Sequence, residues 1–390
     1  MWRGKEDPVS SLNATRIGAL FPLSGRAAQL GRTGYQGARL ATEELNEAGG
    51  VLGGPLELQV ADTRGSLATV AEARRFIEKE DVTVLLGVVS SAALLAVTEI
   101  ARERKTVLMA TIASTVRATT EMFHPYIFRS GVNNAQESLS AARVAAALPH
   151  RRWYVIAPDY EYGYNAWTIF KGHLTHLRPD VEIVGEAWPE FLEHDYEAYV
   201  EAILRTRPDA VYNLLYGGDL VAFTRQARGK ALYERATFLN ATGGDVGVLE
   251  ELGGDMPEGI LCGARYYFQH PDTDTNRRFV ERYRTRYGGW PTPWAEMSYN
   301  GVRFVAEGLA KAGTRDSHAL VRALEGMTLD LPRGPVTLRK EDHQAVLDMV
   351  WGRTRRHPDF PFSVLAELQI HPGSQITPPA EGGAAQRRAA

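Results

Sequence analysis

Short apolar segments alternate with longer amphipathic ones along most of the first 240 residues, and this alternation constrains the fold more than any other feature. The first cycle begins with the strand-like segment 15–21, TRIGALF. A helical pattern follows, in which Ala38, Ala41 and Leu45 share one face before Gly49 ends it. Short apolar strands joined by helices of this length are typical of βαβ units around a parallel sheet.

A second block of the same kind follows residues 126–130 and predicts a second lobe. It opens with a helical pattern and the strand-like segment WYVIAPD (153–159). The last third departs from the alternation. Three helical patterns come together there, near 275–287, 294–312 and 316–326, and three further strands follow them. The sequence therefore predicts an α/β fold with two doubly wound, Rossmann-like lobes, which the late elements return to complete.

Composition and charge exclude several classes of function. The 390 residues carry a net charge of −3, which argues against nucleic-acid binding because that usually needs a basic patch. Cys262 is the only cysteine, so neither an internal disulfide nor a thiolate zinc cluster can form. No apolar run approaches the ~20 residues that span a bilayer. Residues 1–18 lack the apolar core of a signal peptide, which leaves a mature periplasmic form and a cytoplasmic protein as alternatives.

A loop rich in glycine and serine joins the first strand to the first helix, where backbone N–H groups can hold an anion. Its glycines are Gly25, Gly31, Gly34 and Gly37. No two glycines of the chain stand two residues apart, so the dinucleotide fingerprint G-x-G-x-x-G is absent. The phosphate-binding G-x-x-x-x-G-K-[ST] pattern and the G-x-S-x-G elbow are absent as well. These absences argue against nucleotide binding and serine hydrolysis.

Two further patterns suggest metal sites but lack the necessary ligands. His173 and His176 are three residues apart on one predicted helix, with no third ligand beside them. The segment 272–276, DTDTN, begins like a calcium loop, but Arg277 stands where such a loop needs glycine. We therefore expect no metal, no cofactor and no catalytic residue.

Six motifs in consistent order carry a family resemblance: FPLSGRAAQLGRTGYQGARLATEELNEAGGVLGGPLEL, LLGVVSSAALLA, PYIFRSGVN, PDYEYGYNAW, PDAVYNLLYGGDLVAFTRQAR, and DHQAV followed by MVWG. The chain resembles type I periplasmic binding proteins over about residues 15–372, and most of all the leucine/isoleucine/valine-binding branch that serves ABC importers. Members of this branch often carry a disulfide near the first-lobe site, which a single cysteine excludes. A cytoplasmic amide-sensing regulator of the same fold has a tyrosine-rich segment like DYEYGY, so a ligand sensor is the alternative function.

The resemblance implies two lobes that close like a flytrap on a ligand in the cleft between them. The lobes would comprise residues 15–130 with 268–348, and residues 131–267 with 349–372. Three crossover hinges would lie near 130–133, 267–271 and 349–353. The glycine and serine loop would offer backbone N–H groups to the cleft, and the polar segment 373–390 is expected to be a disordered tail. The implied partner is an ABC transporter permease, and we expect a periplasmic monomer.

The resemblance also implies which first-lobe residues meet the ligand. Ser91, at a helix start after a buried strand, matches the position that holds a ligand carboxylate, with Ser90 as the register alternative. Ala113, Ser114 and Thr115 follow the next strand, where relatives use a carbonyl group and a threonine hydroxyl to hold the ligand's ammonium and carboxylate groups.

Aromatic residues are implied on the second lobe. Tyr162 matches a tyrosine of the cleft, and Tyr216 matches a position that covers the ligand side chain, whereas Tyr160 and Tyr164 are interpreted as ordinary structural aromatics. Leu30 stands where relatives place an aromatic residue of the side-chain pocket, and this change puts the ligand in question.

The loop at 240–247 decides the predicted ligand class. Relatives that bind amino acids use an acidic residue here for the ligand's ammonium group, and the alignment without a gap places Thr242 there, while a small shift places Asp245 there. With Asp245 in the cleft the ligand is an amino acid, the leading expectation. With Thr242 it is an aromatic acid or a neutral amide.

Overall fold

The structure is a computed structural model, and it describes residues 14–25 and 27–380. Within these residues, none of the helices has both the length and the apolar character needed to cross a membrane. Two β-sheets, each with its own helices, form two lobes. The predicted α/β architecture is confirmed.

The first lobe is built on a five-stranded parallel sheet in the order β2-β1-β3-β4-β5. Its strands are β1 (Thr15–Phe21), β2 (Leu56–Asp62), β3 (Val84–Gly87), β4 (Val107–Ala110) and β5 (Ile127–Arg129). The helices between them are α1 (Ala28–Glu47), α2 (Ser66–Lys79) and α3 (Ser91–Arg104). Every residue of β3, β4 and β5 is buried, as expected for strands covered by helices on both faces.

The second lobe is built on a seven-stranded sheet in the order β15-β14-β10-β9-β8-β6-β7. Its parallel strands are β6 (Arg152–Ile156), β7 (Glu182–Ala187), β8 (Ala210–Asn213), β9 (Thr237–Asn240) and β10 (Leu261–Ala264). The helices are α4 (Asn134–Ala146), α5 (Glu161–Leu177), α6 (Glu197–Thr206), α7 (Gly217–Gly229) and α8 (Val246–Leu252). Two antiparallel strands, β14 (Met349–Arg355) and β15 (Val364–His371), complete the edge beside β10.

The elements after β10 return to the first lobe before the chain crosses back. They are α9 (Asp274–Tyr287), α10 (Pro293–Ala312), α11 (Ser317–Leu324) and a small antiparallel sheet of β11 (Thr328–Leu331), β12 (Gly334–Leu338) and β13 (Ala345–Val346). Helix α10 packs tightly on α1, because a Cβ atom at Gly37 would lie 1.9 Å from the carbonyl oxygen of Ala295. This close approach requires glycine.

The chain thus passes between the lobes three times: after β5, after β10 and after β13. The first two passages fall where the sequence places hinges. The third is at 347–348, whereas the expected hinge 349–353 lies inside β14 and is held by its ladder to β10 and β15. That expectation is wrong by two residues, because 349–353 form part of a sheet strand.

The segment after β15 is ordered at its start. Residues Gly373–Ile376 form a short helix, α12, and the Ile376 side chain is fully buried. The Nε2 group of Gln136 on α4 donates a hydrogen bond to Thr377 Oγ1 at 2.9 Å. The expected disorder is therefore wrong for these residues, since a buried isoleucine anchors them, while 381–390 lie outside the described residues.

Candidate ligand-binding site

A cleft with a volume of about 420 Å³ lies between the two lobes. The first lobe contributes small and aliphatic side chains and one ring: Ala27, Leu30, Val89, Ser90, Ser91, Ala92, Ile112, Ser114 and Trp294. The second lobe contributes aromatic, hydroxyl and charged side chains: Tyr160, Glu161, Tyr162, Phe191, Tyr216, Thr242 and Arg265.

The sheets explain why these residues meet. Most of them follow the carboxyl end of a parallel strand, the edge at which α/β folds bind ligands. Helices α3, α5 and α7 begin at this edge, with Ser91 and Glu161 as first helical residues and Tyr216 just before Gly217. Three helix N-termini therefore point toward the cleft, which favours polar ligand groups there.

Two N–H groups of the opening loop are directed at the protein rather than at the cleft. The N–H groups of Leu23 and Ser24 donate to Asp62 Oδ1 at 2.9 and 3.2 Å, and the Ser24 hydroxyl donates to Asp62 Oδ2 at 2.5 Å. The Ser24 hydrogen bond is the main cause that lowers the pKa of Asp62 well below its usual value. A carboxylate at the end of β2 therefore occupies these two donors, while Ala27 and Leu30, further along the chain, line the cleft.

The serine residues predicted on the first lobe line the cleft. Ser90 caps α3, because its side chain accepts a hydrogen bond from Ala93 N at 3.3 Å, and Ser91 and Ser114 are 8% and 5% exposed. Ala113 is buried and is not part of the cleft lining; its N–H donates a hydrogen bond to the Val88 carbonyl at 3.0 Å.

Thr115 lies just beyond the cleft wall and is fully buried. Its hydroxyl donates a hydrogen bond to Glu161 Oε1 at 2.7 Å, which joins the first lobe to the second. The hydroxyl predicted to hold a ligand carboxylate is therefore already directed at a carboxylate of the protein.

Rings cover much of the second-lobe wall. The hydroxyl groups of Tyr160 and Tyr216 are 2.6 Å apart in a hydrogen bond, and Phe191 stacks on Tyr216 with ring centres 5.9 Å apart. Tyr162 meets Tyr216 edge to face at 5.6 Å. Sequence reasoning found two of these tyrosines but set Tyr160 aside and did not find Phe191.

Arg265 is the residue that sequence reasoning missed most clearly. It follows β10 directly and is 5% exposed, and its Nε donates to Glu137 Oε2 at 2.7 Å. The Tyr162 hydroxyl donates to the other oxygen of the fully buried Glu137 at 2.7 Å. The guanidinium carbon of Arg265 lies 5.1 Å from the ring centre of Trp294 and 5.9 Å from that of Tyr162. An arginine that ends an apolar strand, GILCGAR, was the available signal.

The Arg265 side chain is positively charged. Burial alone would lower the pKa of its guanidinium, but the charge and hydrogen bond of Glu137 raise that pKa overall. A protonated guanidinium among aromatic rings is well suited to hold a carboxylate.

The loop after β9 separates Thr242 from Asp245. Thr242 lines the cleft, whereas Asp245 lines an adjoining pocket of about 20 Å³ that shares Leu30, Tyr216 and Trp294 with it. Asp245 caps α8 by accepting a hydrogen bond from Gly247 N at 3.0 Å. Burial raises the pKa of Asp245 to about 6, although hydrogen bonds from Gly247 and Trp294 oppose that rise.

The metal patterns remain unsupported within the part of the chain that the structure describes, where no three His, Cys, Asp or Glu side chains are grouped to hold an ion. The ring centres of His173 and His176 are 6.5 Å apart, and Arg277 pairs with Asp272 and Asp274. Cys262 is buried, and burial raises the pKa of its thiol to about 12.

Comparison with known proteins shows which family the chain is similar to. Residues 14–357 match the family described as periplasmic binding protein. Over 326 residues the chain is 25% identical to the leucine-, isoleucine-, valine-, threonine- and alanine-binding protein of Pseudomonas aeruginosa, a match that covers 82% of this chain and 84% of that protein.

Solved structures share the fold. The amino acid ABC transporter substrate-binding protein of Pseudomonas fluorescens superposes with a TM-score of 0.84 at 24% identity, covering 93% of this chain and 97% of that one. A solute-binding protein of an ABC transporter from Rhodopseudomonas palustris, solved in complex with 3,4-dihydroxybenzoic acid, superposes with a TM-score of 0.83 at 24% identity, covering 92% and 98%.

Proposed function

Because this chain belongs to the periplasmic binding protein family, in its type I, branched-chain amino acid branch, we propose that it captures a small aromatic carboxylate for an ABC importer. Proteins of this family bind substrates and are not enzymes. The observation that carries the proposal is the buried Arg265 among the rings of the cleft. The permease partner and the periplasm as working compartment belong to the same proposal.

Arg265 supplies the anion-binding group. An arginine has five N–H donors in a planar fork, and only the Nε of Arg265 donates to another described residue, Glu137. The side chain lines the cleft, so its remaining donors can form the paired hydrogen bonds that a carboxylate accepts.

The serine and threonine side of the cleft is less suitable for the carboxylate. Thr115 donates its hydroxyl to Glu161, so an anion placed there would meet the Glu161 carboxylate at close range. Like charges brought together in a closed, poorly hydrated cleft repel strongly. The ligand carboxylate therefore belongs at Arg265, while Ser90, Ser91 and Ser114 offer weaker polar contacts.

Aromatic side chains supply the apolar surface. Tyr162, Phe191 and Tyr216 on one side and Trp294 on the other line the space beside the guanidinium. Aromatic pairs prefer offset or edge-to-face arrangements, which rings at several angles can provide to a bound ring.

An α-amino acid fits this cleft less well, although it was the leading expectation from the sequence. Its ammonium group needs a partner, but Thr242 rather than Asp245 lines the cleft. Glu161, the carboxylate that does line it, already accepts the Thr115 hydroxyl on Oε1, and its Oε2 is buried. Relatives support either class, because the Pseudomonas aeruginosa protein is named for leucine, isoleucine, valine, threonine and alanine, and the Rhodopseudomonas palustris protein was solved with 3,4-dihydroxybenzoic acid.

Hinge closure would couple binding to transport. Both lobes line the cleft, so a ligand stabilises the closed arrangement in which Thr115 meets Glu161. The permease would then recognise the closed form.

Isothermal titration calorimetry with benzoate, 4-hydroxybenzoate, L-leucine, L-phenylalanine and acetamide tests the proposal. We expect an aromatic acid to bind at least about tenfold more tightly than either amino acid, a difference of about 1.4 kcal/mol. Tighter binding of L-leucine or acetamide would show that the ligand class is wrong.

A further inference from the structure

Two tyrosine hydroxyl groups on the second-lobe wall are hydrogen-bonded to each other. The hydroxyl oxygens of Tyr160 and Tyr216 are 2.6 Å apart. Burial raises the pKa of both phenols, that of Tyr216 to about 12, so both keep their protons at neutral pH. Each phenol carries one O–H donor, and the bond between them uses only one of the two protons. No other described residue forms a hydrogen bond with either oxygen, so the second proton has no acceptor among residues 14–25 and 27–380.

This hydroxyl pair can be reached from the cleft and is held in one arrangement. Tyr160 and Tyr216 line the cleft and are half-buried, so a bound molecule can contact them, whereas Tyr162 is only 4% exposed. The two residues directly precede α5 and α7. The Phe191 ring packs on both, with its centre 5.8 Å from the ring centre of Tyr160 and 5.9 Å from that of Tyr216. Ring packing and the helix starts therefore fix the pair before a ligand binds.

The hydroxyl pair lies near the arginine to which the proposed function assigns the ligand carboxylate. The ring centre of Tyr162 is 5.9 Å from the guanidinium carbon of Arg265. The same ring centre is 6.1 Å from that of Tyr160 and 5.6 Å from that of Tyr216. Because Tyr162 is next to both groups, an aromatic ligand beside it can direct one substituent at the arginine and another at the hydroxyl pair.

We propose that the Tyr160–Tyr216 hydroxyl pair selects ligands whose ring carries an oxygen acceptor in addition to the carboxylate held by Arg265. This inference rests on the proposed function, and it narrows the ligand from aromatic acids in general to those with a ring hydroxyl or ether oxygen. Unsubstituted benzoate would leave the second proton of the pair without an acceptor in the closed cleft, which is costly, whereas a phenolic oxygen accepts it. An ammonium group has donors only, so it cannot accept this proton.

The test compares acids that differ only in the ring oxygen. Calorimetric dissociation constants are measured for 3- and 4-hydroxybenzoate and for 3- and 4-methylbenzoate, in which a methyl group of similar size replaces the hydroxyl. The proteins are the wild type and the double variant Tyr160→Phe/Tyr216→Phe, which keeps both rings and loses both hydroxyl groups. Tyr164→Phe is the matched control, because the Tyr164 hydroxyl donates to Asp159 and this residue does not line the cleft.

We expect the wild type and Tyr164→Phe to bind the better hydroxybenzoate at least about tenfold more tightly than its methyl counterpart, because the methyl group leaves a donor unpaired. In the double variant this preference should fall below about threefold, with binding of the methyl acids retained. The better ring position, 3 or 4, shows where the recognised oxygen stands relative to the carboxylate. The absence of a preference in the wild type, or an unchanged preference in the double variant, would overturn the inference.

The single variants Tyr160→Phe and Tyr216→Phe provide the same test if the double variant does not fold. Removing the hydroxyl that contacts the ligand oxygen should lower the preference for the hydroxybenzoate, and the responsive variant identifies that hydroxyl. A wild-type preference in both single variants would overturn the inference. An equal fall in affinity for hydroxy and methyl acids would indicate that the pair only supports the wall.

The outcome also separates this inference from the proposed function. If the wild type binds no aromatic acid, the proposed function fails, and the same proteins are titrated with L-tyrosine and L-phenylalanine, which differ in one ring hydroxyl. A preference for L-tyrosine that the double variant loses supports recognition of the oxygen by the hydroxyl pair. Equal binding of the two amino acids, or binding of neither, overturns it.

Discussion

The two walls of the cleft differ in chemistry. The first-lobe wall consists of small hydroxyl and aliphatic side chains around the start of α3, with Trp294 as its ring. The second-lobe wall carries Tyr160, Tyr162, Phe191 and Tyr216 together with both charges, Arg265 and Glu161. One wall offers general polar contacts and the other offers groups that distinguish one ligand from another.

This difference shows how one fold can change ligands. The serine side chains and helix N-termini of the first lobe suit many polar ligands, because a backbone N–H group donates to any acceptor. Charge and ring placement on the second lobe decide which ligand leaves no buried group unpaired. Substitutions on the second lobe should therefore have the larger effects on recognition.

The largest effect is expected from breaking a buried ion pair. The second lobe has such a pair beside the cleft, and the first lobe has one on α10. Arg265 pairs with Glu137 on the second lobe, and Arg333 pairs with Glu296 on the first, with all four side chains at most 7% exposed. Arg265→Met and Arg333→Met should each lower the free energy of unfolding by about 3–5 kcal/mol, because a buried carboxylate loses its partner. Only Arg265→Met should also abolish ligand binding.

Urea denaturation and calorimetry at a temperature where both variants are folded separate the two effects. Arg333→Met is the matched control, since it breaks an equally buried pair that does not line the cleft. Wild-type affinity in Arg265→Met, or lost binding in both variants, would contradict the distinction between the walls.

An intermediate effect is expected at Asp245, whose carboxyl has a pKa raised by burial to about 6. The unfolded value is about 3.9, so the native state holds a proton that the unfolded state releases between these values. Stability from this group is therefore present below about pH 4 and lost as the pH rises to about 6. Asp245→Asn, which retains a capping side chain, should raise the free energy of unfolding near pH 7 by about 1–3 kcal/mol.

Denaturation curves measured from about pH 4 to pH 8 should show this loss of stability in the wild type. In Asp245→Asn the contribution of this group to the pH dependence should be missing. Ligand affinity should change little, because Asp245 faces the adjoining pocket. A large loss of affinity would restore Asp245 as a ligand partner and favour an amino acid.

The smallest effect is expected from removing one of the two paired tyrosine hydroxyl groups on the second-lobe wall. Tyr216→Phe removes the 2.6 Å hydrogen bond to Tyr160 but keeps the ring that contacts Phe191 and Tyr162. The free energy of unfolding should fall by about 0.5–1.5 kcal/mol, measured by urea denaturation. A loss as large as that of Arg265→Met would show that the hydroxyl pair, and not the ion pair, organises this wall.

The sequence predicted the fold more completely than the site. Strand and helix periodicity is local, so the two lobes could be recognised directly, and the motifs placed Ser91, Tyr162, Tyr216 and Thr242 at the cleft. Arg265 could not be interpreted in the same way, because its partner Glu137 is 128 residues away. Trp294 reaches the cleft only through the return of α10 to the first lobe.

Register limits what the sequence could decide in the loop at 240–247. Thr242 and Asp245 are three residues apart in one loop, and the structure places Thr242 in the lining of the cleft and Asp245, the cap of α8, in the lining of the adjoining pocket. The hinge expected at 349–353 is displaced for a different reason: the sequence also predicts a strand in this region, and only the ladder to β10 shows that residues 349–353 belong to that strand and that the chain crosses at 347–348.

A crystal structure of the protein with the aromatic acid that binds most tightly in the calorimetric panel tests the central claim most directly. We predict that the ligand carboxylate lies within about 3 Å of the Arg265 guanidinium nitrogens, the distance of a charge-assisted hydrogen bond, with the ring among Tyr162, Tyr216 and Trp294. A carboxylate bound at Ser91 and the start of α3, out of reach of Arg265, would contradict the assignment of recognition to the second-lobe wall.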